Sequence, residues 1–170
     1  MISIGIDAST TCTGFGVFED DKLIQYGAIA PKSKDWRERI MIESVELAKL
    51  LKHYKPENLY VESVPLKPGN KTLEQLGAVH GMILCLCAGY KIKPVFLLPS
   101  AWRKDIGMFD GTREGTHRDI LKEKAITKAN ELFRLDLKWY GPKSKKSEDD
   151  VAEGILIAYS QILKGQNHKK

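Results

Sequence analysis

Four acidic residues lie at the ends of predicted secondary-structure elements, where carboxylates from distant parts of the chain could meet. Asp7 ends the first strand-like segment, and Glu62 lies near the end of the fourth. Asp150 and Glu153 are three residues apart in a helical segment, so they share one helix face. If the two strands are parallel neighbours, their acids lie side by side, and the repulsion between like charges favours a cation between them.

This set of residues predicts a metal site with a definite chemistry. Mg²⁺ prefers hard oxygen ligands, and four carboxylates suit two such ions, with Mn²⁺ as a possible substitute. A pair of ions about 4 Å apart can activate a water and stabilise the leaving oxygen in phosphodiester hydrolysis. The four histidines of the chain have no apparent nucleophile beside them, so a Ser-His-Asp or Cys-His arrangement is not predicted.

Each acid also has a structural explanation. Asp7 could be a turn residue whose side chain binds a nearby amide. Asp149 and Asp150 could stabilise a helix N-terminus with Ser147 as its cap, so Asp149 is only a substitute ligand in this interpretation. The structural explanation is weakest for Glu62, because a Glu between valines in a central strand is rarely buried without a charged or metal partner.

The elements that position these acids form one predicted domain. The chain has 170 residues, of which 42% are hydrophobic and 29% charged, which fits a single core over residues 1–165 followed by a polar tail at 166–170. Three strands are followed by a helix, a strand, a helix, a strand and further helices. This order predicts an α/β fold, a mixed five-stranded sheet with its first three strands antiparallel and helices on both faces.

Charge and cysteine content narrow the class of protein. A net charge of +5 and a pI near 9.0 permit a polyanionic partner without requiring one. The three cysteines lack metal-ligand spacing and are expected to be reduced thiols. The longest apolar runs fall short of the roughly 20 residues of a membrane span, and no leader is apparent, so we expect a cytoplasmic protein without a membrane partner.

Five short motifs follow one another in an order known from one family. They are GIDAS at 5–9 with TGFGV at 13–17, YVESV at 60–64, Asn70 with LG at 76–77 and HGMI at 80–83, Pro99 with Arg103, and DVAEGILIA at 150–158. Each motif is weakly specific, but their common order over most of the chain argues against chance. The chain resembles the RuvC family of Holliday junction resolvases, which has the RNase H-like fold.

The resemblance implies a Mg²⁺-dependent endonuclease that acts on four-way and related branched DNA as a homodimer. It implies metal ligation by Asp7, Glu62, Asp150 and Glu153, and it leaves a helicase partner unassigned. It places the helix at 72–87 in the dimer interface, through Leu73, Leu76, Val79 and Ile83. Core packing of that helix against the sheet is the alternative for the same residues.

Three features depart from the family pattern. Glu153 stands where the family has Asp, which lengthens a metal ligand by one methylene. The loop after Glu62 lacks the aromatic residue associated with base wedging, so relaxed sequence specificity is expected. The segment 107–116 is longer than in the family and carries three glycines, which predicts a mobile loop.

Basic residues near the predicted site could contact DNA phosphates without reading sequence. The candidates are Lys67, Lys71, Arg103, Lys104, Arg113, Arg118 and Lys122. Lys143, Lys145 and Lys146 could equally form a solvated surface. Trp102 is expected to pack in the core, where it could support Arg103.

Two other functions share parts of this pattern. A junction-binding scaffold of the same fold would not need catalysis, but all four acids are retained. A phosphotransferase of the sugar-kinase and actin type is the other alternative, because its phosphate loop also follows an Asp with small hydroxyl residues, as at 7–10. Such enzymes clamp nucleotide between two domains, and the predicted chain has one.

Overall fold

The computed structural model of the protein describes residues 1–64, 69–142 and 144–167. Its strands are β1 (Ile2–Asp7), β2 (Thr13–Glu19), β3 (Lys22–Ile29), β4 (Asn58–Glu62) and β5 (Pro94–Leu97). Its helices are α1 (Trp36–Tyr54), α2 (Asn70–Tyr90), α3 (Pro99–Asp105), α4 (Arg118–Phe133) and α5 (Asp149–Asn167), with a 3-10 turn at Glu114–Thr116. The predicted order of elements is confirmed.

The five strands form one mixed sheet in the order β3-β2-β1-β4-β5. The first three are antiparallel, as predicted; β4 pairs in parallel with β1, and β5 pairs in parallel with β4. Ile6 of β1 pairs with Val61 of β4, so Asp7 and Glu62 both follow this pair at the same end of the sheet. The parallel register therefore brings these acids to one edge.

Each face of the sheet packs against helices and forms its own core. On one face, α1 and α2 contribute Leu47, Leu51 and Ile83 against the alternating residues of β1 and β4. On the other face, α5 supplies a continuous run of buried residues that packs with α3 and α4. The fold prediction of helices on both faces is confirmed.

Helix α5 approaches β1 and β2 so closely that only glycines fit at the contact. A Cβ on Gly14 would overlap the backbone of Asp150 at the start of α5, and a Cβ on Gly16 would lie 2.6 Å from the Cα of Ile155. A Cβ on Gly154 would lie 2.6 Å from the carbonyl oxygen of Gly14. This backbone-to-backbone packing sets where α5 begins relative to the end of β1.

Two of the four residues predicted for the dimer interface on α2 lie in the core of this chain. Val79 is 0% exposed and Ile83 is 2% exposed, and both pack in the core between α2 and the sheet. These two side chains lie on the face that a helix must bury against its own sheet, so they are not available to a partner. Leu73 and Leu84 lie on the exposed side of the same helix and are about half exposed.

The last helix ends later than predicted, and a few residues named in the predictions lie outside the described part of the chain. Helix α5 continues through Gly165 to Asn167, the second residue of the predicted polar tail. In its last turn, Nζ of Lys164 lies 2.7 Å from Oδ2 of Asp105 at the end of α3. Lys67, Lys143 and the last three residues of the predicted tail lie outside the described residues.

Candidate active site

All four predicted acids line one cavity, and the carboxylates of three of them lie close together. Asp7 lies at the end of β1, and Asp150 and Glu153 project from the first two turns of α5. Asp7, Asp150 and Glu153 each offer a carboxylate oxygen, and the three oxygens lie within 4.8 Å of one another. The cavity has a volume of about 640 Å³ and is also lined by Glu62, Arg103, Arg118 and Lys122.

Glu62 lines the same cavity but is held from a different side. Its Oε2 accepts a hydrogen bond of 2.7 Å from the indole Nε1 of Trp102 and lies 3.5 Å from Nη2 of Arg103. The backbone carbonyl of Glu62 lies 3.1 Å from Nε2 of His80, whose ring packs against Phe96. The end of β4 is therefore fixed through both its backbone and its carboxylate.

Two basic residues bind the acids directly. Arg103 Nη2 donates a hydrogen bond of 2.5 Å to Oε1 of Glu153. Lys122 Nζ contacts the Asp149 carboxylate and lies 3.6 Å from Oδ1 of Asp150. Asp149 is thus paired with Lys122 and lies outside the group of three oxygens, consistent with its lower rank as a ligand.

The site carries more negative than positive charge, and together with burial this raises the pKa of several of its carboxyl groups. Burial and the carboxylates of its neighbours, Glu153 first, raise the pKa of Asp7 well above its usual range. Burial, opposed by Arg103 and reinforced by Glu153, raises the pKa of Glu62 to about 7. Burial also raises the pKa of Asp150, although Lys122 opposes the shift. Asp7, Glu62 and Asp150 therefore hold their protons more tightly than isolated acids would.

The donor set fits a divalent cation. Among the described residues, four carboxylates line this cavity, and two basic side chains, Arg103 and Lys122, are paired directly with acids of the site. All the acidic donors are hard oxygens, which suit Mg²⁺ and Mn²⁺ and not the softer metals that thiolates select. A divalent cation among Asp7, Asp150 and Glu153 would offset the like-charge repulsion between these carboxylates.

The predicted DNA-contacting residues divide into two groups. Arg103 and Lys122 are engaged with carboxylates inside the cavity, where their exposed side-chain fractions are 14% and 17%. The remaining described candidates are exposed on the surface: Lys71, Lys104, Arg113 and Arg118. Of these, Arg118 also lines the cavity, so it joins the site to the surface.

The segment 107–116, predicted as a mobile loop, has a defined structure. Asp110 accepts hydrogen bonds from the backbone N–H and the hydroxyl of Thr112, at 2.9 Å and 2.7 Å. Asp110 also forms an ion pair of 2.6 Å with Lys124 of α4, and Gly115 packs against its carboxylate. One Asp therefore organises the turn, which is a role that glycine content alone did not reveal.

Sequence reasoning missed two residues near this site, Trp102 as a partner of Glu62 and Glu43 of α1. Glu43 is 0% exposed, and its Oε1 lies 2.6 Å from the hydroxyl of Thr13. That hydroxyl also accepts the Ser9 N–H at 3.1 Å and lies 3.0 Å from the Ser9 carbonyl oxygen. Glu43 precedes Leu47 by four residues, so its place on the apolar face of α1 was the available signal.

A protonated Glu43 would allow Thr13 to make all its hydrogen bonds in the turn that follows Asp7. A hydroxyl has one proton, so Thr13 can donate to the Ser9 carbonyl only if Glu43 itself donates to Thr13. Burial raises the pKa of Glu43 to about 7, which favours this protonated form. The acid on α1 thus supports the turn between β1 and β2, which lines the cavity beside Asp7.

We expect the Glu43→Gln variant to respond to pH differently from the wild type. A folded pKa of about 7 lies above the ordinary 4.5, so this stabilisation is complete below pH 4.5 and is lost as pH rises to about 7. Gln stays neutral at every pH, so the free energy of unfolding of the variant lacks this decrease of roughly 3 kcal/mol. Urea denaturation of both proteins at pH 4.5 and pH 8 measures the difference, with Glu46→Gln on the exposed side of α1 as control. Equal pH dependence in Glu43→Gln and wild type would contradict the assignment.

The comparisons with known proteins agree with this geometry. The family model described as crossover junction endodeoxyribonuclease RuvC matches residues 3–108, a segment that contains Asp7, Glu62 and Arg103 and ends before α5. A RuvC protein of Carboxydothermus hydrogenoformans is 30% identical over 170 residues, covering 96% of this chain and 97% of the relative. A RuvC protein of Nitratidesulfovibrio vulgaris (strain DP4) is 30% identical over 105 residues, or 59% of this chain, so the match spans 63% of the length of that relative.

A solved structure shares the fold over nearly the whole chain. The structure of T. thermophilus RuvC in complex with Holliday junction substrate superposes with a TM-score of 0.73 at 17% identity, covering 98% of this chain and 96% of that chain. At this identity, the likeness establishes the RNase H-like fold predicted from the motifs. Because the family model covers more than half of the residues, the chain belongs to the RuvC family of crossover junction endodeoxyribonucleases.

Proposed function

We propose that this protein is a metal-dependent endonuclease that resolves four-way DNA junctions by paired phosphodiester hydrolysis. The observation that carries the proposal is the convergence of Asp7, Asp150 and Glu153 within 4.8 Å, with Glu62 in the same cavity. Family membership and the shared fold of a relative solved with Holliday junction substrate support the choice of DNA substrate.

Two Mg²⁺ ions are the proposed cofactor, with Mn²⁺ as a substitute. Asp7, Asp150 and Glu153 would hold them, with Glu62 completing the ligand set. Bound ions supply Lewis-acid stabilisation of the leaving oxygen and lower the pKa of the attacking water. Arg103 and Lys122 orient the carboxylates Glu153 and Asp149 through the contacts described above.

DNA binding is proposed to depend on phosphate contacts. Lys104 and Arg113 are exposed on the surface, and Arg118 is exposed and also lines the cavity. Lys71 is assigned the same role, and Lys67, outside the described residues, stays a prediction from the sequence. Arg103 and Lys122 serve the acids first and the scissile phosphate second. Contacts of this kind position a duplex without reading bases, so we propose relaxed sequence specificity.

A homodimer is proposed through the exposed face of α2. By length and apolar composition alone this 21-residue helix could cross a membrane, with a mean hydropathy of 1.2 in its most apolar window. Its buried face packs on the sheet, and its exposed face carries Leu73 and Leu84, beside the half-buried Leu76. A second copy of the chain would cover this apolar face. Two-fold pairing would also supply two active sites for cuts in two strands. We propose a cytoplasmic location and assign no helicase partner.

Incubation of a synthetic four-way junction with the protein and Mg²⁺ tests the proposal. The expected result is nicks at symmetric positions in two opposed strands, which requires two coordinated active sites. Single uncoordinated nicks would support the proposed nuclease activity and contradict the proposed homodimer. Binding without nicks would establish the junction-binding scaffold, and turnover of ATP without nicks would establish the phosphotransferase.

A further inference from the structure

We propose that Trp102 is a positioning residue for Glu62: its indole N–H fixes Oε2 of the carboxylate, so that Oε1 is the oxygen presented to the metal site. The inference deepens the proposed function and rests on it, because it concerns how one metal ligand is oriented. The contact that carries it is the 2.7 Å hydrogen bond from Trp102 Nε1 to Glu62 Oε2.

The indole is the fixed partner of this pair. Trp102 is 0% exposed and belongs to the core between α3, α4 and α5. The guanidinium of Arg103 lies over its ring, 4.6 Å from the centroid. An indole has a single N–H donor, whereas a Glu side chain has three rotatable bonds, so the packed ring determines where the carboxylate lies.

Arg103 does not replace this contact. Its Nη2 is bound to Glu153 at 2.5 Å and lies 3.5 Å from Oε2 of Glu62. The Nε of Arg103 is buried and has no hydrogen-bond partner among the described residues. The guanidinium is therefore committed to Glu153, and the short directional bond to Glu62 comes from Trp102.

Glu62 needs such support because it approaches the site from another element. The other three acids lie within 4.8 Å of one another through β1 and α5, while Glu62 stands at the end of β4, outside that group. A free Glu62 side chain could turn either oxygen, or neither, towards the cavity. Hydrogen bonds that orient metal ligands in this way typically change metal affinity about 10–100-fold.

The test measures Mn²⁺ binding to the DNA-free protein, both by calorimetry and from the electron paramagnetic resonance signal of free Mn²⁺. We expect Trp102→Phe to weaken Mn²⁺ binding about 10-fold or more, because the phenyl ring keeps much of the packing and lacks the N–H. The control is Trp139→Phe, which alters a half-buried indole beside the same core and is expected to leave Mn²⁺ affinity unchanged. Should Trp102→Phe fail to fold, Trp102→β-(3-benzothienyl)alanine removes the N–H while keeping the shape of the ring.

A double-variant cycle separates positioning from general damage. If Trp102 acts through Glu62, the loss caused by Trp102→Phe falls below about 2-fold in a Glu62→Ala background. A loss of the same size in both backgrounds would show a structural role and overturn the inference. Unchanged Mn²⁺ affinity in Trp102→Phe, with weaker binding in Glu62→Ala, overturns this inference alone. Unchanged affinity in Glu62→Ala overturns the metal role of Glu62 in the proposed function.

Discussion

Asp7→Asn is expected to abolish junction cleavage while junction binding persists. Asp7 is one of three carboxylates within 4.8 Å, and its replacement by the isosteric amide removes a charged oxygen ligand without changing side-chain volume. Loss of transition-state stabilisation of this kind lowers the rate by at least about 10³-fold. Glu62→Gln is also expected to lower the cleavage rate, because it removes the charged ligand that β4 contributes.

Binding is expected to persist because it depends on other residues. Phosphates are contacted by exposed basic side chains such as Lys104 and Arg118, and removing a negative charge from the site lowers its repulsion of DNA. Gel-shift titration without divalent metal measures the junction Kd, and cleavage in Mg²⁺ measures the rate. Asp136→Asn is the control, because this side chain is 86% exposed and paired with Lys138. Wild-type nicking by Asp7→Asn or Glu62→Gln would remove these acids from the catalytic site.

Gly14→Ala is expected to lower stability and cleavage together. Gly14 lies opposite Asp7 in the register of β1 and β2, and its added Cβ would overlap the carbonyl group of Asp150 and the backbone N of Val151. Both clashing groups are backbone atoms of α5, so the helix itself must move. Overpacking of this kind costs about 3 kcal/mol or more, which lowers Tm by roughly 6–12 °C for a domain of this size.

The displacement of α5 would also separate Asp150 from Asp7, so the metal site is expected to weaken even in the folded fraction. Thermal unfolding and Mn²⁺ affinity measure the two effects on the same sample. Gly89→Ala is the matched control, because no heavy atom lies within 4 Å of its added Cβ, and Ala in a helix stabilises by up to about 1 kcal/mol. A Gly14→Ala variant with wild-type Tm would show that α5 is not held by this close backbone contact.

The local sequence pattern was sufficient to predict the strands of the sheet and to select the candidate acids. The alternation of Ile2, Ile4 and Ile6 has the period of a strand with one buried face, and it places Asp7 at the strand end. Parallel pairing of β1 with β4 follows from the helical crossover between antiparallel strands and β4. Because strand ends at one edge of a sheet are neighbours, the convergence of Asp7 and Glu62 could be predicted from sequence.

The sequence by itself therefore determined which elements form, their order along the chain, and which carboxylates lie at their ends, because these depend on periodicity within short segments. Only the tertiary structure decided the partners: Lys122 pairs with Asp149, Trp102 holds Glu62, and Glu43 supports the turn after Asp7. It also decided that Val79 and Ile83 serve the core of this chain. These contacts join residues far apart in sequence, and their geometry depends on how closely helices pack on the sheet, which no local pattern encodes.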